Sequence, residues 1–244
     1  VDQALVSAIQ ERYQQVRAEI DAAAHRAGRS LDSVRLVVVT KTHPLETVQA
    51  ALEAGIRDLG ENYAEEAVEK IQAIGALEGL RWHMIGHIQS RKADLVAQNF
   101  DFVHSLDSLK LAQRLERFAA EAGRTVPVLL ECNVSGEASK YGYPAFDPAH
   151  WESLYREARQ MAELPHLEIR GLMTMPPLFD EAELTRPFFR RLRELRETLS
   201  KQVPQGRWEE LSMGTSADFR AAVEEGATLV RVGTAILGAR PPRG

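Results

Sequence analysis

Arg35-Leu36-Val37-Val38-Val39-Thr40-Lys41 is the stretch on which the fold turns. Four consecutive apolar residues, Leu36 to Val39, leave no polar face. A strand reads that way when it is buried on both sides, as in a parallel sheet. Val128-Leu129-Leu130 repeats the pattern later in the chain. Outward from 35–41, short apolar runs alternate with helix-periodic segments. Strands are expected over 35–41, 57–61, 81–86, 102–106, 126–134, 167–173, 209–214 and 228–233. Helices are expected between them over 44–54, 64–74, 89–98, 108–122, 148–162, 181–199 and 217–225. Asp107 or Ser108 suits a helix cap, and Ser216 precedes another helix with Asp218 in its first turn. Gly55, Gly75, Gly123 and Gly226 stand where helices end.

A helix in every gap makes the strands parallel βα units. Eight such units in about 210 residues fit a closed (β/α)8 TIM barrel, which usually takes roughly 250. An open doubly wound sheet is the runner-up, but its Gly-x-Gly-x-x-Gly turn is missing after the first strand. Ahead of the barrel, Leu5, Ile9, Val16 and Ile20 share one face of a helix ending near Gly28. Its other face mixes Glu11, Arg12, Arg17 and Glu19, which suits packing on the domain better than lying on a membrane. The expected fold class is therefore α/β. It is one barrel domain over 1–244, with an extra N-terminal helix over 1–28 and a frayed tail over 239–244.

Composition narrows the function. The 244 residues are 44% hydrophobic and 27% charged, which excludes a disordered or fibrous chain. Lys+Arg total 30 against Asp+Glu 35, a net charge of −5 with no basic footprint for nucleic acid. The one cysteine, Cys132, excludes an internal disulfide and a multi-cysteine zinc site, and suits a reducing compartment. No apolar run approaches the roughly 18 residues of a membrane span, and no export signal opens the chain. A cytoplasmic protein is expected, and the lack of a large apolar surface stripe favours a monomer.

In a barrel the chemistry lies at the C-terminal ends of the strands. Lys41 follows the first strand, Glu61-Asn62 the second, and Gly86-His87 the third. Asn133 and Ser135 follow the fifth, Met173-Thr174 the sixth, Ser212 to Ser216 the seventh, and Arg231 to Thr234 the eighth. An amine at an apolar barrel mouth is desolvated, its pKa falls, and it becomes a nucleophile toward carbonyls. A lysine that merely ends a strand and faces solvent is the competing reading. Gly214-Thr215-Ser216 leads into a helix, and Gly233-Thr234 leads out of the last strand. Backbone N–H groups beside glycines make anion sites, and these two loops are the recurrent phosphate site of such barrels. A carbonyl-seeking lysine with a phosphate cradle implies pyridoxal 5′-phosphate (PLP).

The chain also resembles the PLP homeostasis (YggS/PROSC) family. The resemblance rests on Val38-Val39-Thr40-Lys41-Thr42, Gly60-Glu61-Asn62-Tyr63 and Trp82-His83-Met84-Ile85-Gly86-His87. It continues through Gly171-Leu172-Met173-Thr174-Met175, Leu211-Ser212-Met213-Gly214, and Val230 to Gly238. It implies a single barrel similar to the N-terminal domain of alanine racemase, with PLP held as an imine of the lysine that matches Lys41. It implies Arg231 at the pyridine nitrogen, Ser216, Gly233 and Thr234 at the phosphate, and Asn62 beside the ring. The implied role is carrying PLP, with PLP-dependent apoenzymes as recipients, and no robust catalysis. Two positions depart from the family pattern. Arg91 replaces an asparagine, and Thr215 adds a hydroxyl near the phosphate.

Other features read plainly. His83 and His87 fall on a strand running into a loop, so a metal pair is not expected. Cys132 reads as a core thiol, Trp82, Trp151 and Trp208 as packing, and Glu61 and Glu131 as strand-end carboxylates. An amino-acid racemase is the alternative function, with Tyr63, Tyr141 or Tyr143 as its second base. The expectation against it is that the chain leaves no room after Gly238 for the second domain such enzymes use. An aldolase-type imine barrel is a third reading, and it predicts no bound chromophore.

Overall fold

The computed structural model describes residues 1–240, so most of the expected frayed tail lies outside the described residues. Eight parallel strands close into a ring. They are β1 (Arg35–Val39), β2 (Asp58–Glu61), β3 (Arg81–Met84), β4 (Phe102–Leu106), β5 (Val126–Asn133), β7 (Leu167–Met173), β8 (Glu210–Ser212) and β9 (Leu229–Val232). Each pairs with its neighbours in chain order, and β9 pairs with β1, from Arg35 opposite Leu229 to Val38 opposite Val232. A two-residue strand, β6 (Tyr143–Pro144), adds to the end of β5 outside the ring.

Helices fill the gaps as the periodicity predicts. They are α2 (Leu45–Glu53), α3 (Ala64–Ile74), α4 (Ala93–Asn99), α5 (Leu109–Glu121), α6 (Trp151–Met161), α7 (Arg186–Gln202) and α8 (Phe219–Glu224). Ahead of the barrel runs α1 (Gln3–Arg26), and after β9 comes α9 (Thr234–Leu237), a short helix that the sequence reading lacks. Ser108 caps α5 by accepting from the Leu111 N–H. The four glycines expected at helix ends all have positive φ. Helix α1 buries Val6, Ile9, Val16 and Ile20 against α2, α8 and α9, so its apolar face is spent on the domain itself. Each fully buried isoleucine there contributes about 2 kcal/mol.

Period-two alternation sorts every strand into two faces. Leu36, Val38, Val103, Val128, Leu130 and Cys132 pack outward under the helices. Val37, Phe102, Leu129, Met173 and Leu229 point inward and form a separate apolar layer inside the barrel. Gly171, in the Gly-Leu-Met motif, lies opposite a register shift in β5 and has a φ of 151°. A Cβ there would stand 1.9 Å from the Glu210 carbonyl oxygen, so this glycine serves strand packing.

Several strands end earlier than the apolar runs suggest. β1 stops at Val39, β3 at Met84, β8 at Ser212 and β9 at Val232. Beyond these ends the chain runs on into the rim, with Thr40, Ile85 and Met213 still donating backbone N–H groups to the carbonyls of Gly60, Glu61 and Leu229.

Candidate functional site

A cavity of about 870 Å³ opens at the C-terminal mouth of the barrel. All six residues singled out from the sequence line it: Lys41, Asn62, Ser216, Arg231, Gly233 and Thr234. The alternation accounts for most of this convergence. On β1 the inward series runs Val37, Val39, Lys41, and on β9 it runs Leu229, Arg231, Gly233. The same rule brings in Glu131, two residues after inward-facing Leu129.

The turn that carries Lys41 is held from behind. Lys70 on α3 donates from Nζ to the Thr40 carbonyl at 3.0 Å, to Glu61 Oε1 at 2.7 Å and to Glu66 Oε1 at 2.6 Å. The Thr40 hydroxyl also donates to Glu61 Oε1, at 2.7 Å, and the Thr42 N–H donates to Glu66 Oε1 at 2.8 Å. Thr42 has a φ of 61°, a left-handed conformation that β-branched residues avoid. Such strain costs about 1–3 kcal/mol and persists only where surrounding contacts over-determine it. Here those contacts grip the residues on either side of Lys41. Glu61 is thus no free strand-end carboxylate but half of a buried ion pair. Burial pushes its carboxyl up against the pull of Lys70.

Arg231 is fully enclosed. Its guanidinium donates to Ser212 Oγ, to the Thr174 carbonyl at 2.9 Å and to Met175 Sδ at 2.8 Å. Burial lowers its pKa to about 10, with Asp218 and Glu131 opposing the shift, so it is cationic at neutral pH. Glu131 is 8% exposed, and its Oε2 has no hydrogen-bond partner among the described residues. Burial raises its pKa to about 7 and Asp107 adds to this, while Arg231 and Lys140 oppose it. The strand-end reading of Glu131 is corrected: it is a buried carboxyl on the cavity wall. Asn62 Oδ1 is likewise buried without a partner.

Gly86 sets the position of Asn62, since a Cβ at 86 would stand 2.3 Å from the Asn62 carbonyl oxygen. Gly86→Ala is therefore expected to displace Asn62 and to destabilise the protein by more than 1 kcal/mol. A thermal melt checks this, and an unchanged midpoint would contradict it.

At the far side of the cavity the two glycine loops meet. Ser216, Gly233 and Thr234 line it, and Thr215 does as well. Its N–H and its hydroxyl both donate to Asp218 Oδ1, at 2.7 and 3.1 Å, so its added hydroxyl is already committed. At the rim, His87 stacks on Tyr141 with ring centroids 3.8 Å apart, while His83 faces the barrel interior, so the two histidines diverge. Lys140 lines the cavity and donates to the Pro176 carbonyl at 3.4 Å. Arg91, the other departure, also lines the cavity and donates to Gln89 Oε1 at 3.0 Å. Tyr143 is buried and donates its hydroxyl to Glu157 Oε2 at 2.8 Å, which removes it from the cavity. Cys132 is buried and burial pushes its thiol up. The three tryptophans are buried packing residues.

Comparison with known proteins gives concordant matches. The family described as "Alanine racemase, N-terminal domain" matches residues 11–241. A pyridoxal phosphate homeostasis protein of Vibrio alginolyticus is 39% identical over 238 residues, covering 96% of this chain and 99% of its own. PipY of Synechococcus elongatus PCC7942, solved with PLP bound, superposes with a TM-score of 0.81 at 38% identity, covering 94% of this chain and 100% of that one. An alanine racemase of Clostridium difficile shares the fold, with a TM-score of 0.66 at 16% identity. That match covers 86% of this chain and 53% of the racemase.

Proposed function

The chain belongs to the pyridoxal phosphate homeostasis protein family, and we propose that it binds PLP at the barrel mouth and carries it linked to Lys41 without turning over a substrate. The observation that carries this reading is the convergence of Lys41, Arg231 and the loops at 214–216 and 233–234 on one cavity. The unpartnered, buried Asn62 Oδ1 fits a polar ligand there. When bound, PLP supplies an aldehyde carbon that condenses with an amine, losing its oxygen as water, to a conjugated C=N that absorbs visible light.

Lys41 supplies the amine from a turn held on both sides. Arg231 has donors only, so a ring nitrogen facing it stays an unprotonated acceptor. Ser216 and the backbone N–H groups of Gly233 and Thr234 hold the phosphate. Residues 1–240 act as one cofactor-binding unit. The carrier is a cytoplasmic monomer that hands PLP to apoenzymes dependent on it.

The racemase alternative needs an acid–base group on the opposite face of the cofactor. Tyr143 is turned away to Glu157, and Tyr63 and Tyr141 are 45% and 57% exposed. Racemisation of L-alanine by the loaded protein at enzymatic rates would overturn the carrier reading.

The phosphate is expected to dominate affinity. Charge-assisted hydrogen bonds contribute about 1.5–3 kcal/mol each, so losing two weakens binding at least about a hundredfold. Titrating the protein with PLP and with pyridoxal measures this directly. Equal dissociation constants would overturn the assignment of the two loops.

A further inference from the structure

Arg231 stands at one end of an unbroken row of buried polar groups that crosses the barrel interior. Its Nη1 donates to Ser212 Oγ, which lies 2.8 Å from His104 Nδ1. His104 Nε2 lies 2.9 Å from His83 Nδ1, and His83 Nε2 lies 2.9 Å from Asp58 Oδ1. Asp58 opens β2 at the opposite end of the barrel, where Arg81 Nε pairs with it at 2.8 Å. Ser212, His104 and His83 are completely buried.

With both imidazoles neutral, the row has a single polarity. The Asp58 carboxylate only accepts, so His83 Nε2 carries a proton and His83 Nδ1 is an acceptor. His104 Nε2–H then donates to it, and His104 Nδ1 accepts the Ser212 hydroxyl proton. The Ser212 lone pairs are left turned toward Arg231. Burial is the largest cause holding both imidazoles below the usual histidine range. Arg35 acts in the same sense on both rings, joined by Arg81 at His83 and by Arg231 and His83 at His104, while Asp58 opposes at His83.

The Thr174 carbonyl and Met175 Sδ anchor only one nitrogen of the guanidinium, Nη2, and neither holds Nη1. Ser212 is the second anchor, but a serine hydroxyl rotates unless its proton has a fixed acceptor. His104 provides that acceptor, and His83 with Asp58 fixes the tautomer of His104. We propose that Ser212, His104 and His83 are positioning residues for Arg231, setting from inside the barrel which guanidinium donors face the ring of bound PLP. This rests on the reading of the cavity as a PLP site.

The test compares wild type with Ser212→Ala, His104→Leu and His104→Gln, each loaded with PLP and titrated by visible absorbance. Ser212→Ala and His104→Leu are expected to move the pH midpoint of the visible band by at least about half a unit. His104→Gln, whose amide both accepts and donates, is expected to restore it. Nitrogen-15 NMR of the apoprotein gives a second readout, with Nε2–H tautomers expected at His83 and His104. Loading with PLP is expected to shift both rings in wild type and to leave His83 unmoved in Ser212→Ala. If His104→Leu does not fold, Ser212→Ala, a small change, still decides. Unaltered midpoints in folded variants that hold PLP, or Nδ1–H tautomers, would overturn the inference and leave the PLP reading standing. A wild-type protein with no visible band on PLP addition would sink both.

Discussion

Lys41→Ala is expected to abolish the visible absorbance of the PLP-loaded protein while changing its stability by less than about 1 kcal/mol. The loss is expected to be complete because no other lysine stands on the inward series of β1. Lys70 is locked behind the strand by Glu61 and Glu66, Lys92 pairs with Glu65, and Lys110 and Lys201 lie on α5 and α7. Lys92 and Lys140 also line the cavity, Lys92 tied to Glu65 and Lys140 on the loop that follows β5. Removing Lys41 leaves Ser216, Arg231 and the glycine loops in place, so non-covalent binding of PLP survives. Absorbance and a thermal melt on the same sample check both halves. A retained visible band would contradict the assignment, and a collapsed fold would show that Lys41 is structural.

The second large effect concerns Glu131, whose carboxyl titrates near 7 in the folded protein. The folded state holds that proton more tightly than the unfolded chain does. This group's contribution to stability therefore falls as pH rises from about 4.5 to 7, and above 7 it costs about 3 kcal/mol. Glu131→Gln keeps the shape and removes the charge. It is expected to stabilise the apoprotein by about 2–3 kcal/mol at pH 8, several degrees in melting temperature, and by almost nothing at pH 4. Melts of both proteins at the two pH values measure it. Parallel pH dependence would show that Glu131 ionises freely.

Much of this site is legible from strand periodicity. Once Leu36 to Val39 is read as a two-sided strand, Lys41 falls on the inward series, and Leu229 predicts Arg231 in the same way. Glu131 follows the identical rule from Leu129. A carboxylate at a strand end is ordinarily solvated, and only closure of the ring shows that this one is buried. Lys70 gives no sequence signal, since its role depends on α3 folding back over β1. His83 and His104 sit on β3 and β4, and Ser212 joins them only across the barrel, a contact that no one-dimensional spacing encodes. The partner of Thr215 is not legible either: Asp218, read as a helix-start residue, turns back and accepts from its N–H and hydroxyl.

The central claim is that Lys41 is the covalent attachment point for PLP. Borohydride reduction of the loaded protein fixes the linkage as a stable secondary amine, and peptide mapping by mass spectrometry then locates it. The pyridoxyl group is expected on the peptide containing Lys41, with the visible band lost on reduction. Attachment at Lys140, or recovery of every lysine unmodified, would contradict the account.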